Sequence, residues 1–130
     1  RRAMGNTLGA AIRFGHAQDV MAAGEGIETM LSLREALSAL PLAAATSSSH
    51  LAAILFPPTL RRLYVARDRD AAGDAAFAIL TERAQAAGIE LLPLMPLLGD
   101  FNDDLQRDGV DGLSASLIAQ LHDADRARFL

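Results

Sequence analysis

Four short, largely apolar runs, each followed by a stretch of helical periodicity or a polar turn, constrain this chain more than any other feature. The runs are Val20 to Ala23, Leu42 to Ala45, Arg62 to Ala66 and Ile89 to Leu94. Their apolar residues are consecutive rather than alternating, so both faces of each strand must be covered. Tyr64 and Val65 add β preference to the third run. Between the runs, Ile27 to Leu40 carries apolar residues at helical spacing and is stopped by Pro41. Leu51 to Leu55 reads as a short helix ended by Pro57 and Pro58. Ala71 to Ala87 shows the clearest stripe, with Gly88 where a helix C-cap belongs. Asp100 to Asp108 and Gly112 to Leu130 read as a short helix and a terminal helix. Strand–helix alternation of this kind predicts an α/β domain: a mainly parallel sheet of about four strands flanked by helices, with right-handed crossovers. Ahead of it, Ala10 to Phe14 among Gly5, Gly9 and Gly15 predicts a short N-terminal β-hairpin or edge strand. The expected division is an N-terminal β extension over 1–18, a core over 19–110 and a C-terminal helix over 111–130.

Composition narrows the chemistry. A length of 130 residues suits one domain, and with aromatics at 5 % the core must be built mainly from Ala, Leu, Val and Ile. There is no Cys, which excludes disulfides and thiolate metal sites. Any metal must take oxygen or His ligands, favouring Mg²⁺ or Mn²⁺ over structural zinc. All 12 basic residues are Arg and the net charge is −4. A domain gripping DNA by itself would be basic, because grip comes from neutralising phosphates. The balance suits a catalytic module that concentrates acids in one cleft and leaves grip to neighbouring domains. No apolar stretch approaches the ~20 residues of a membrane span, and the start of the chain is not a signal peptide. A cytoplasmic location without membrane partners is expected. The chain starts at Arg1 without Met, as a piece cut from a longer protein would.

Three acidic clusters fall in the loops that follow strands, where a parallel sheet binds its ligands. Glu25 and Glu28 follow the first strand, Asp68 and Asp70 the third, and Asp100, Asn102, Asp103 and Asp104 the fourth. Taken singly, each cluster is explained by the preference of helix starts for acids. Asp68 and Asp70 are two apart, so in extended chain both carboxylates face one side and can meet one hard cation. Small residues follow them at Ala71, Ala72 and Gly73, allowing close approach of a phosphate. Glu25 stands between Gly24 and Gly26, which leave its carboxylate unshielded, as a general acid/base or metal ligand requires. Arg67 and Arg69 flank the acidic pair and either balance its charge or meet nucleotide or DNA phosphate. His50, Ser47, Ser48 and Ser49 read as loop residues; no base accompanies the serines.

These motifs together resemble the Toprim domain, a Rossmann-like fold shared by bacterial-type primases, type IA and II topoisomerases and some nucleases. The matching segments are Gly24–Glu25–Gly26–Ile27–Glu28–Thr29, Asp68–Arg69–Asp70–Ala71–Ala72–Gly73 and Gly99–Asp100–Phe101–Asn102–Asp103. They are most similar to the subgroup found in phage and plasmid primases and primase–helicases. The resemblance covers residues 5–108. It implies that Glu25 is the general acid/base of nucleotidyl transfer. It implies that Asp68 and Asp70 hold Mg²⁺ or Mn²⁺, that Asp100 completes the acidic cluster, and that Glu28, Asn102 or Asp103 assist. DNA, nucleotides and other domains of the parent chain, a helicase among them, are the implied partners. The chain departs from the subgroup in lacking a Lys between Gly99 and Asp100, and from main-line bacterial primases in carrying Thr29 where they have an Asp. Thr46 to His50 stands where a Gly-containing loop is expected. Two alternatives compete with a DNA replication enzyme. One is a non-catalytic Toprim domain that binds nucleic acid or a partner protein. The other is a phosphatase of the haloacid-dehalogenase type, which also uses Asp-x-Asp on a parallel sheet but on its first strand.

Overall fold

A computed structural model of the chain describes residues 11–68 and 71–129. The elements run β1 (Ile12–Phe14), β2 (Val20–Gly24), α1 (Ile27–Ala36), β3 (Leu42–Ala44), α2 (Ser48–Ala52), β4 (Arg62–Ala66), α3 (Ala71–Ala87), β5 (Glu90–Leu94), α4 (Phe101–Ile118) and α5 (Asp123–Arg128). They form one five-stranded sheet in the order β1-β3-β2-β4-β5. The four strands read from the apolar runs are parallel. β1 is the expected edge strand, antiparallel to β3 with Ile12 opposite Ala44. The rest of the N-terminal extension, 1–10, lies outside the described residues.

Period-two alternation assigns each strand residue to a face. Val20, Ala22, Leu42, Ala44, Tyr64 and Ala66 pack on one side against Met30, Leu33, Phe101, Leu113 and Leu117 of α1 and α4. Met21, Ala23, Ala43, Leu63 and Val65 pack on the other against Leu51, Ala76 and Leu80 of α2 and α3. Burial on both sides explains the unbroken apolar runs. The central Ala pairs let the helices approach closely, so few aromatics are needed.

Helix boundaries differ from the periodicity at four places. α1 ends at Ala36, not Leu40, although Leu37 and Leu40 remain buried. The Leu37 N–H still reaches Leu33 O, and the chain then turns toward Pro41 while its side chains continue to fill the core. α2 begins at Ser48 rather than Leu51, because the Ser47 hydroxyl accepts from the His50 N–H and caps it. The two C-terminal helices join into α4 across a kink at Gly109, whose φ of +74° a residue with Cβ rarely adopts. The terminal helix then breaks before α5, which His122 caps. α3 spans the expected residues and is followed by Gly88, at φ +71°.

At the far edge, β5 carries Pro93. Glu90 N–H donates to Arg61 O and Arg67 N–H donates to Leu94 O, each at 2.9 Å. Even-numbered residues of β5 therefore face β4, and the Pro93 nitrogen faces outward. Among the described residues no helix is long and apolar enough to cross a membrane.

Candidate active site

The carboxyl ends of the parallel strands set out the site. Gly24 aligns with Ala44, and the β2–β4 and β4–β5 registers carry Ala66 and Leu94 to the same edge. From β2 the chain crosses to β3 on one side; from β4 it crosses to β5 on the other. The sheet thus has a topological switch point between β2 and β4, where the two connections part and leave a crevice. Glu25 leaves β2 at this crevice and Arg67–Asp68 leave β4.

The structure brings these residues together. Glu25, Arg67, Asp68 and Gly73 line one small cleft, floored by Leu51, Val65 and Ala66. Its tight construction depends on Gly24: a Cβ there would stand 2.5 Å from Met30 Sδ and 3.2 Å from Ala66 Cβ. Any other residue would displace the Met30 side chain and crowd Ala66 beneath the cleft. The Glu25 backbone is held from the other side. Its carbonyl accepts from the Thr46 N–H at 2.7 Å, beside an Ala45 N–H to Gly24 O bond of 2.8 Å. Thr46 makes that bond at φ +73°, in the left-handed region where a β-branched residue is an outlier. The threonine thus adopts the geometry for which a glycine was expected after β3. Such strain costs about 1–3 kcal/mol and persists where surrounding structure over-determines it.

Arg67 is anchored as well as placed. Its guanidinium lies over the Phe77 ring, 4.3 Å from the centroid, and its Nη2 donates to the Asp74 carboxylate. Neither Asp74 nor Phe77 was singled out from sequence. An acid in the first turn of α3 looked like any helix-start acid, and no spacing rule links Phe77 to Arg67.

The other expected site residues that the structure describes fall elsewhere. Asp100 caps α4, its Oδ1 accepting from the Asp103 N–H at 2.8 Å, and is not among the residues lining the cleft. Asp104, in the same acidic cluster, is 1 % exposed and accepts from the Leu97 and Leu98 N–H groups, both at 2.7 Å. It fixes the loop after β5. Glu28 and Asn102 line a separate open groove of about 550 Å³ between α1 and α4, with Ser32 Oγ donating to Glu28 O at 2.9 Å. Asp70 and Arg69 lie outside the described residues. Among those described, no group of three or more His, Asp or Glu side chains is arranged to hold a metal ion. Two carboxylates on one cleft nonetheless suit Mg²⁺, which takes one or two from protein and fills the rest with water and phosphate oxygens.

Fold and cleft together define a class: a mostly parallel α/β domain whose acids are delivered by the loops after two adjacent strands at a switch point. The chain belongs to the Toprim domain family, whose pattern it matches over residues 20–111. No curated protein matches it. Among solved structures it is similar to the primase of Aquifex aeolicus, comprising zinc-binding and RNA polymerase domains, at TM-score 0.57 and 19 % identity, covering 78 % of this chain and 26 % of that one. It is similar to a DNA primase domain from Pseudomonas aeruginosa at TM-score 0.54 and 20 % identity, covering 78 % and 33 %. It is also similar to a chain of the bacteriophage T7 complex between lagging-strand DNA polymerase and primase domains of two gp4 subunits, at TM-score 0.55 and 16 % identity, covering 79 % and 55 %. The chain thus spans between about a quarter and about half of the solved chains it matches.

Proposed function

We propose that this chain is the Toprim catalytic module of a larger DNA replication protein of phage or plasmid type, carrying out Mg²⁺- or Mn²⁺-dependent nucleotidyl transfer in primer synthesis. The observation that carries the reading is the cleft shared by Glu25 and Asp68 at the switch point between β2 and β4. In this reading Asp68 and Asp70 hold the metal ion and Asp100 assists from the start of α4. The bound ion would neutralise polyphosphate charge. The Glu25 carboxylate takes the proton from the attacking hydroxyl, in a position fixed by Gly24 and by the Thr46 N–H on its carbonyl. Arg67 and Arg69 meet phosphate. Glu28, Asn102 and Asp103 support from the α1–α4 side. Template and primer are gripped by other parts of the parent chain, a helicase among the candidates, in keeping with the net charge of −4.

The deciding measurement is Mn²⁺ binding by the chain and by its Asp68→Ala, Asp70→Ala double variant. Loss of binding in the variant is expected; equal affinity in both rules out the metal assignment. A non-catalytic Toprim domain that binds nucleic acid or a partner protein is the second reading, favoured by the absence of Lys. Under it, Glu25→Gln leaves the activity of the full-length protein intact, whereas under the first it abolishes primer synthesis.

A further inference from the structure

Among the described residues, Arg67 is the one cation lining the Glu25–Asp68 cleft. It is held in an unsymmetrical way. One side is a stack on the Phe77 ring, with the Arg67 side chain only 13 % exposed. Its Nε is buried and meets no hydrogen-bond acceptor among the described residues. The other side is the Asp74 carboxylate, whose side chain is 71 % exposed. A guanidinium offers five N–H donors in a rigid fork, and here the exposed aspartate takes the hydrogen bond at Nη2. If Arg67 served only to neutralise the cleft acids, it would not need a third carboxylate outside the cleft. An ion pair with a solvated partner is weak and readily exchanged, whereas the oxygens of a polyphosphate carry more charge and can engage the same fork through two parallel charge-assisted bonds.

We propose that Asp74 is a placeholder for a polyphosphate: it keeps Arg67 aimed at the cleft until phosphate oxygens replace it on the guanidinium, while Phe77 holds the guanidinium plane throughout. This rests on reading the cleft as a nucleotidyl-transfer site, and assigns Asp74 and Phe77 as positioning residues and nucleoside polyphosphates as the class they admit. The exchange forms and breaks hydrogen bonds only. Asp74 is released to solvent, where its exposure already places it, and the incoming anion is selected by having enough charge to outcompete a carboxylate.

The test is calorimetric titration of the whole chain with inorganic tripolyphosphate in Mg²⁺ at low salt. Asp74→Asn removes the competing charge from an exposed position, so the fold is kept. It should tighten binding about two- to fivefold, the range an exposed ion pair withholds. Arg67→Gln should weaken binding about tenfold or more. Unchanged or weaker binding by Asp74→Asn overturns the proposal even if Arg67→Gln proves unstable. So does a wild-type chain that fails to bind tripolyphosphate. Failure of the underlying site reading shows in a different titration, Mn²⁺ binding unaffected by Asp68→Asn.

Discussion

The two ends of strand β4 treat charge in opposite ways. At its start, Arg62 is enclosed by acceptors. Its Nη1 donates to both Asp125 oxygens at 2.9 and 3.0 Å, and its Nε donates to Glu90, its cross-strand neighbour on β5, at 2.9 Å. The buried Tyr64 hydroxyl donates to the same Asp125 carboxylate and accepts from the His122 N–H at 2.9 Å. Asp125 and Tyr64 are buried there, Glu90 covers them at the surface, and the result fastens α5 to the sheet. At its finish, Asp68 and Glu25 share a cleft with one arginine, and that arginine is bonded to an exposed aspartate outside it. One end satisfies its charges within the fold. The other, among the described residues, sets two carboxylates and one arginine in a single cleft, which the proposed cation would share.

Substitutions can break this contrast. The largest effect is expected at the matched end: Asp125→Ala leaves the Arg62 guanidinium without its main partner and should cost about 3 kcal/mol in urea unfolding. Tyr64→Phe removes a hydroxyl that serves two partners and should cost about 1–2 kcal/mol in the same assay. At the other end, Glu25→Gln combined with Asp68→Asn should leave stability unchanged or raise it by up to about 1 kcal/mol, with Mn²⁺ binding lost. Comparable losses of stability at both ends would erase the distinction. Alkaline pH sharpens it. Burial first, and then the Asp125 hydrogen bond, hold the Tyr64 hydroxyl well above its ordinary value of 10.0. The folded state therefore keeps that proton where the unfolded chain loses it. The Tyr64 contribution to stability should be constant below pH 10 and fall above it, a slope absent from Tyr64→Phe. The smallest effect concerns Asp19, whose carboxyl the Arg128 hydrogen bond lowers below 3.8. That stabilisation is present above pH 3.8 and fades as pH falls further. Asp19→Asn should cost less than about 1 kcal/mol at neutral pH, because the pair is partly exposed.

What was legible in the sequence follows the same division. The parallel strands could be read because burial on both faces leaves runs such as Val20–Ala23 no polar position. The cleft could be read because Glu25 and Asp68 each sit one or two residues past such a run, and parallel strands deliver those positions to one edge. Helix ends were less accessible. Leu37 and Leu40 keep the apolar spacing beyond the end of α1, since burial continues after the helical hydrogen bonds stop, and Ser47 looked like a turn until its role as a cap was seen. The separation of Glu28 and Asn102 into their own groove depends on how α1 packs on α4, which no local pattern encodes. The Arg62–Asp125–Tyr64 network spans more than sixty residues of chain, and the anchoring of Arg67 by Phe77 needs the tertiary fold. Asp104 stood among the acids of the third cluster with no sign that it would be a buried loop brace.

Pro93 on the last strand has a consequence for assembly. Of the outward-facing positions in β5, Leu91 keeps an amide hydrogen and Pro93 has none, so a foreign strand laid along this rim would miss a rung. The border that could otherwise template β-addition is blunted by a single imino acid, guarding the domain against sticking to its own copies edge to edge. Other parts of a parent chain are therefore expected to dock through helix faces and loops rather than by prolonging the sheet past β5.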